Sequence, residues 1–255
     1  MFPNYPGKRD EPALVEPAAY VDYLRAHGLA AEGTHPERAV LCYQSSLLDH
    51  LRRDLGLKAV AGMLDKYLYL VPDDPSLAVA GGFGIGAPVA VSIMEELVAM
   101  GCRRFVSIGT AGALQSAVAV GDLVVCDRAV RDEGTSHHYV RAAEYAYASS
   151  GLTERVKQAL AELGRPFVTG AAWTTDAVYR ETVSEARHYQ RQGVLAVDME
   201  AAALFAVAAY RRVEAAAMFT ISDSLADLSW RPDFHRSEVR GGLEVMFAAA
   251  RLSLG

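Results

Sequence analysis

Two short acidic clusters carry the side chains best suited to chemistry. Asp198-Met199-Glu200 stands between an apolar run and an alanine-rich stretch, and Ser222-Asp223-Ser224 follows a second apolar run. Carboxylates in those settings also have plain structural uses: one complements a helix dipole, the other makes an Asx turn. The chemical reading gives each a task. A Glu just inside a buried helix needs partners such as ligand hydroxyls, and an Asp at the carboxyl end of a strand can serve as a general acid.

Two glycine-rich stretches add a floor to that chemistry. Gly81-Gly82-Phe83-Gly84-Ile85-Gly86-Ala87-Pro88 and Gly109-Thr110-Ala111-Gly112-Ala113-Leu114 each follow an apolar run. Glycine lets backbone amides approach an anion or a sugar closely, and strand-to-helix turns are where open α/β sheets bind ligands. The first stretch is no Walker loop, since no Lys-Ser or Lys-Thr follows it. It fits a dinucleotide fingerprint only loosely, because no acidic residue ends a second strand at the required spacing.

These residues need elements to hold them. Apolar, β-branched runs predict strands at Ala39 to Tyr43, Leu77 to Gly81, Arg104 to Ile108, Asp122 to Cys126, Phe167 to Ala172, Val194 to Val197 and Ala216 to Ile221. Helical spacing predicts helices at Pro17 to His27, Pro88 to Met100, Thr153 to Leu163 (capped by Thr153 and stopped by Gly164), Met199 to Tyr210 and Arg240 to Leu252. Strands alternating with helices predict a single-domain, layered α/β fold with a mostly parallel or mixed central sheet. Residues 1–37 read as an N-terminal extension and 38–255 as one domain, since no linker, repeat or low-complexity tract interrupts the latter.

Composition narrows the function classes. Lys plus Arg is 25 and Asp plus Glu is 31, a net charge of −6, which argues against a nucleic-acid binder that neutralises phosphates with a basic face. No run reaches about 18 apolar residues, so no membrane association is expected. The polar, proline-broken N-terminus lacks the apolar run of a signal peptide. Cys42, Cys102 and Cys126 are widely spaced and form no metal pattern. They read as reduced core thiols of a cytoplasmic protein, with no metal and no bound cofactor expected.

The motifs, taken in register, resemble the nucleoside phosphorylase superfamily, the purine nucleoside and uridine phosphorylases with their nucleosidase relatives. The resemblance rests on the G-x-G at Gly84 and Gly86, I-G-T-A-G-A-L at Ile108 to Leu114, D-M-E-A-A at Asp198 to Ala202 and I-S-D at Ile221 to Asp223. Gly121 to Val124 and Asp132 to Ser136 also fit, over about residues 38 to 252, and Arg131 to Tyr139 with Trp173 to Asp176 most resembles the uridine phosphorylase-like and AMP nucleosidase branches. The resemblance implies a three-layer α/β/α fold with a mixed central sheet, in a homotrimer or homohexamer that cleaves the N-glycosidic bond of a nucleoside, with phosphate as co-substrate where the reaction is phosphorolysis. Glu200 would hold the ribose hydroxyls, with Met199 and Thr110 along the sugar. Trp173, Ala111, Gly112 and Asp223 would meet the base, with Trp173 stacking on it and Asp223 protonating or bonding N7. Gly84, Gly109 and Thr110 would face phosphate.

Three positions depart from that pattern. Where the family has a G-D-P-x-R motif, this chain has Tyr43-Gln44-Ser45-Ser46-Leu47; Ser107 stands where an arginine precedes the I-G-T stretch; and no matching arginine stands near Ala59 to Leu64. Losing those arginines removes charge-assisted bonds to a phosphate. Three functions stay open: phosphorolysis to base and sugar 1-phosphate, hydrolysis by water, and nucleoside binding without turnover. For hydrolysis, Gln44 cannot act as a base and Asp49 lies further along. Asp223 favours a purine, and the uracil-reading Gln-x-Arg pair has no match in Arg180-Glu181-Thr182-Val183. Arg231, Arg236 and Arg240 are candidates to pair with Asp223, and His137 and His138 are expected on an exposed loop, or else at a pocket mouth or a subunit contact.

Overall fold

Apolar, β-branched runs become strands here because both of their faces are covered. A computed structural model describes residues 5–28, 35–60 and 67–255. Among them, β1 (Arg38–Cys42), β4 (Asp74–Gly81) and β5 (Arg104–Ala113) lie parallel with β1 in the centre, after which β4 pairs antiparallel with β3 (Leu68–Val71) and β3 with β2 (Lys58–Ala59). On its other side β5 runs parallel to β10 (Glu214–Ser224) and antiparallel to the short β9 (Ala196–Asp198). β6 (Leu123–Asp132) pairs antiparallel with β10 and with β7 (Tyr145–Tyr147), and parallel with β8 (Val168–Thr175), which pairs with β9. The sheet is thus mixed, as expected, and β5, β10, β6, β8 and β9 close into a ring. β11 (Arg231–Pro232) folds back on β10 as a hairpin.

Helices cover both faces. On one, α3 (Ala87–Met100) and α6 (Ala201–Arg211) pack against Leu41, Phe105, Phe219 and Ile221. On the other, α2 (Ser45–Asp54), α4 (Ser150–Glu162) and α7 (Ser237–Leu254) pack against Val40, Val106, Ile108 and Met218. α5 (Val183–Arg191) covers a smaller cluster around Trp173. The N-terminal extension carries α1 (Pro17–Ala26), which lays Val21 and Leu24 against α3. No helix among the described residues is long and apolar enough to cross a membrane.

Several expected boundaries move. Gly101 ends α3 in the left-handed conformation at φ 115°, as its position suggested. α4, however, starts at Ser150, so Thr153 sits inside the helix and its hydroxyl takes no partner. The stretch Gly109 to Ala113, expected as a loop, continues β5, because β10 pairs with it on one side and β9 on the other. Asp223, expected just past a strand, lies within β10. The third arginine position, near Ala59 to Leu64, falls largely outside the described residues.

Candidate active site

The start of α6 fixes the first carboxylate cluster. Asp198 ends β9, and its Oδ2 accepts from the amides of Glu200 at 2.9 Å and Ala201 at 2.7 Å, while Thr174 Oγ1 donates to its Oδ1 at 2.6 Å. These bonds replace a helix cap and commit Asp198 to holding the turn. Glu200 is left to turn its side chain elsewhere. Its Oε1 accepts from the Gly86 amide at 2.6 Å, so the first glycine stretch is tied to the first acidic cluster. Burial pushes the Glu200 carboxyl well up, and the neighbouring Asp198 adds to the rise.

A β-bulge fixes the second cluster. Ile221 pairs with Ala111 and Asp223 with Gly112, leaving Ser222 as the extra residue of β10. A bulge re-aims the side chain that follows it and is common beside active sites. Asp223 is buried, with Ser222 Oγ donating to Oδ1 at 2.7 Å and the indole Nε1 of Trp230 donating to Oδ2 at 2.9 Å.

Both carboxylates open onto one cavity of about 420 Å³ at the carboxyl ends of β5, β9 and β10. That size suits a small organic ligand. Thr110, Ala111, Gly112, Met199, Glu200 and Asp223 all stand on its wall. Gly112 is needed there: a Cβ would lie 2.8 Å from Leu225 and 3.0 Å from Asp223 Oδ2.

Other expected residues are not on the wall. Trp173 is 0% exposed, packed 4.8 Å from the Tyr189 ring and donating to Asp132 at 2.9 Å. Side chains alternate along β8, so Thr174 faces Asp198 and Trp173 faces the α5 cluster. No base can stack on Trp173. Gly84 and Gly109 also miss the wall, and the Tyr43 ring would lie 3.1 Å from any Cβ on Gly109. His137 and His138 form a single-turn helix away from this cavity, where Lys8 Nζ lies 2.6 Å from His138 Nδ1. Asp49 is exposed on α2 beside Arg52. Arg231 pairs with Asp227, and Arg236 with Asp233 and Glu238; neither they nor Arg240 bonds Asp223.

The wall holds residues that the sequence reading had not singled out. Tyr179, 97% exposed, puts an aromatic ring on that wall, and Trp230 and Phe234 add two more. Glu181 brings a further carboxyl, pushed up to about 7 by burial and by the nearby Asp223. Its place in the stretch lacking the uracil-reading pair was the available signal. Where arginines were missed, neutral groups bond one another: Gln44 Nε2 donates to Thr110 Oγ1 at 3.0 Å, and the Tyr43 hydroxyl lies 2.9 Å from Ser107 Oγ. No arginine, lysine or histidine stands among the described residues of the wall.

Comparison with known proteins agrees with this architecture. The profile of the phosphorylase superfamily matches residues 54–245. The chain is 36% identical over 144 residues to a guanosine phosphorylase of Halorubrum lacusprofundi, covering 56% of this chain and 59% of that protein. It is 32% identical over 146 residues to a DeoD-type purine nucleoside phosphorylase of Caldanaerobacter subterraneus, covering 56% and 63%. The match therefore spans about six tenths of the length of these curated relatives. A crystal structure of uridine phosphorylase from Vibrio fischeri superposes with a TM-score of 0.69 at 24% identity, covering 88% of this chain and 91% of that one. A profile match over most of the chain, joined to the same fold, makes this protein a member of the phosphorylase superfamily.

Proposed function

We propose that this protein is a nucleoside phosphorylase that cleaves the N-glycosidic bond of a purine nucleoside, giving free base and sugar 1-phosphate. The observation that carries this reading is the pairing of Glu200 and Asp223 on one cavity. In the reaction the C1′–N9 bond breaks with its electron pair passing to the base, and a phosphate oxygen bonds C1′. Positive charge develops on the sugar, as in glycoside cleavage. Glu200, bonded to ribose hydroxyls, stabilises that charge more in the transition state than in the ground state. Asp223 gives a proton to N7, so the base leaves neutral. Tyr179 offers the face on which the base stacks. The names of the purine and guanosine phosphorylase relatives support the reaction class and the purine.

Asp223→Ala should lower kcat/KM for inosine and guanosine by roughly 10²–10⁴-fold, with the thermal midpoint nearly unchanged. Activity at the wild-type level would overturn the role of Asp223.

One observation favours a second reading, hydrolysis. Among its described residues the wall offers a phosphate dianion no cation, and Gln44 Oε1 is buried without a hydrogen-bond partner, a place that suits a neutral donor such as water. Base release from adenosine, inosine, guanosine, uridine and methylthioadenosine, followed by chromatography with and without phosphate, separates the two. Sugar 1-phosphate formed only with phosphate supports phosphorolysis. Free sugar formed equally without phosphate replaces it with hydrolysis. Absence of release from every nucleoside overturns both.

A further inference from the structure

The hairpin after β10 ends in an unusual contact for a tryptophan. Asp223 pairs with Pro232 and Ser224 with Arg231 across the hairpin, and the Asp233 amide donates to Ser222 O at 3.0 Å. The turn between is pinned at several points. Leu228 sits in the left-handed region at φ 62°, a conformation a leucine adopts only when its surroundings impose it. Its amide donates to Leu225 O at 2.8 Å, Gln190 Nε2 donates to Ala226 O at 3.0 Å, and Ser229 Oγ donates to Asp227 at 2.8 Å. The turn so fixed brings Trp230 back over Asp223. The indole is 63% exposed, so packing does not account for its place; its polar atom is spent on Asp223 Oδ2 at 2.9 Å.

The two partners of Asp223 differ in kind. An indole N–H can only donate, whereas a hydroxyl donates or accepts. Oδ2 is therefore always the accepting oxygen while Trp230 holds it. Ser222 Oγ has a second acceptor within reach, Ala111 O at 3.5 Å, so its proton can turn away from Oδ1. The indole N–H bonds an unprotonated oxygen better than a protonated one, so a proton on Asp223 is favoured on Oδ1. We propose that Trp230 is a positioning residue for leaving-base protonation: its indole N–H fixes Oδ2 as an acceptor and confines the transferable proton to Oδ1. This rests on the reading of Asp223 as the general acid. The proton passes from Oδ1 to N7 as the C1′–N9 electron pair enters the base, leaving a carboxylate that Trp230 and Ser222 then hold with two hydrogen bonds.

The test compares a substrate that needs this proton with one that does not. The base of 7-methylguanosine is already cationic and leaves neutral without a proton. Trp230→Phe keeps an aromatic ring and loses the N–H. The ratio of kcat on guanosine to kcat on 7-methylguanosine should fall roughly tenfold or more in this variant, with KM for guanosine within about twofold. Trp230→Leu, which also removes the N–H, should lower the same ratio and serves if Trp230→Phe does not fold. An unchanged ratio, whether both rates fall together or neither does, overturns the proposal and leaves Trp230 a structural residue. Failure of the wild-type protein to release base from either substrate overturns the underlying reading instead, and this proposal with it.

Discussion

Single residues here show how burial moves protons in places the reaction does not use. Glu96 on α3 is pushed from 4.5 to about 7 by burial alone, and its Oε2 has no hydrogen-bond partner. Between those two values the folded protein keeps a proton that the unfolded chain releases, so this group's contribution to stability is lost as pH rises through the window. Glu96→Gln lacks that dependence. The variant should be more stable than the wild-type protein at pH 8, by about 1 kcal/mol once the solvent-facing side of Glu96 is discounted. The gap should close as pH falls towards 4.5, which denaturant unfolding at several pH values would measure. The same comparison at the residue scale shows what could be read beforehand. Glu200 and Asp223 stood out because carboxylates in apolar runs need a reason. Trp173 misled because an aromatic in a strand faces one side or the other, and spacing alone does not say which side holds the cavity.

At the scale of elements, the site is made by two irregularities in otherwise regular strands. The extra residue Ser222 turns Asp223 inward, and Gly112 opposite leaves the space into which it turns. Gly112→Ala would set a methyl 2.8 Å from Leu225 and 3.1 Å from Val197, so the wall must shift. Overpacking of that kind costs roughly 1–3 kcal/mol; a lower thermal midpoint and a kcat/KM reduced by about tenfold are the expected outcome, measured by calorimetry and by base release. Strand cores were legible in the sequence because apolar, β-branched runs of that length have few alternatives. Glycines 109 and 112 suggested a loop, yet their pairing with β9 and β10 depends on residues about a hundred positions away. Trp230 belonged to the same blind spot, since its partner is set by the register of a hairpin and a strained turn at Leu228.

Across the whole molecule, the sheet, in which β5, β10, β6, β8 and β9 close into a ring, stands between two apolar layers. The N-terminal extension joins one of them, through Val21 and Leu24 on α3 and through Glu16, which shares Arg211 with the buried Glu95. The three cysteines are distributed over both layers. Cys42 lies on the α2–α4–α7 side, and Cys102 and Cys126 lie on the α3–α6 side. All three are free; burial pushes Cys42 and Cys102 up to about 12, and it also pushes Cys126 well up from its ordinary value. A thiol so placed is neither reachable nor ionised, so it reacts only when its layer opens. A chromogenic disulfide reagent should find no thiol in native buffer and three in denaturant; prompt labelling of the native protein would contradict the burial. The cysteines thus act as internal clocks on the two sides of the sheet. Mass-resolved pulse labelling at rising denaturant, reading Cys42 against Cys102 and Cys126, would time the loosening of each layer separately, without a label being introduced.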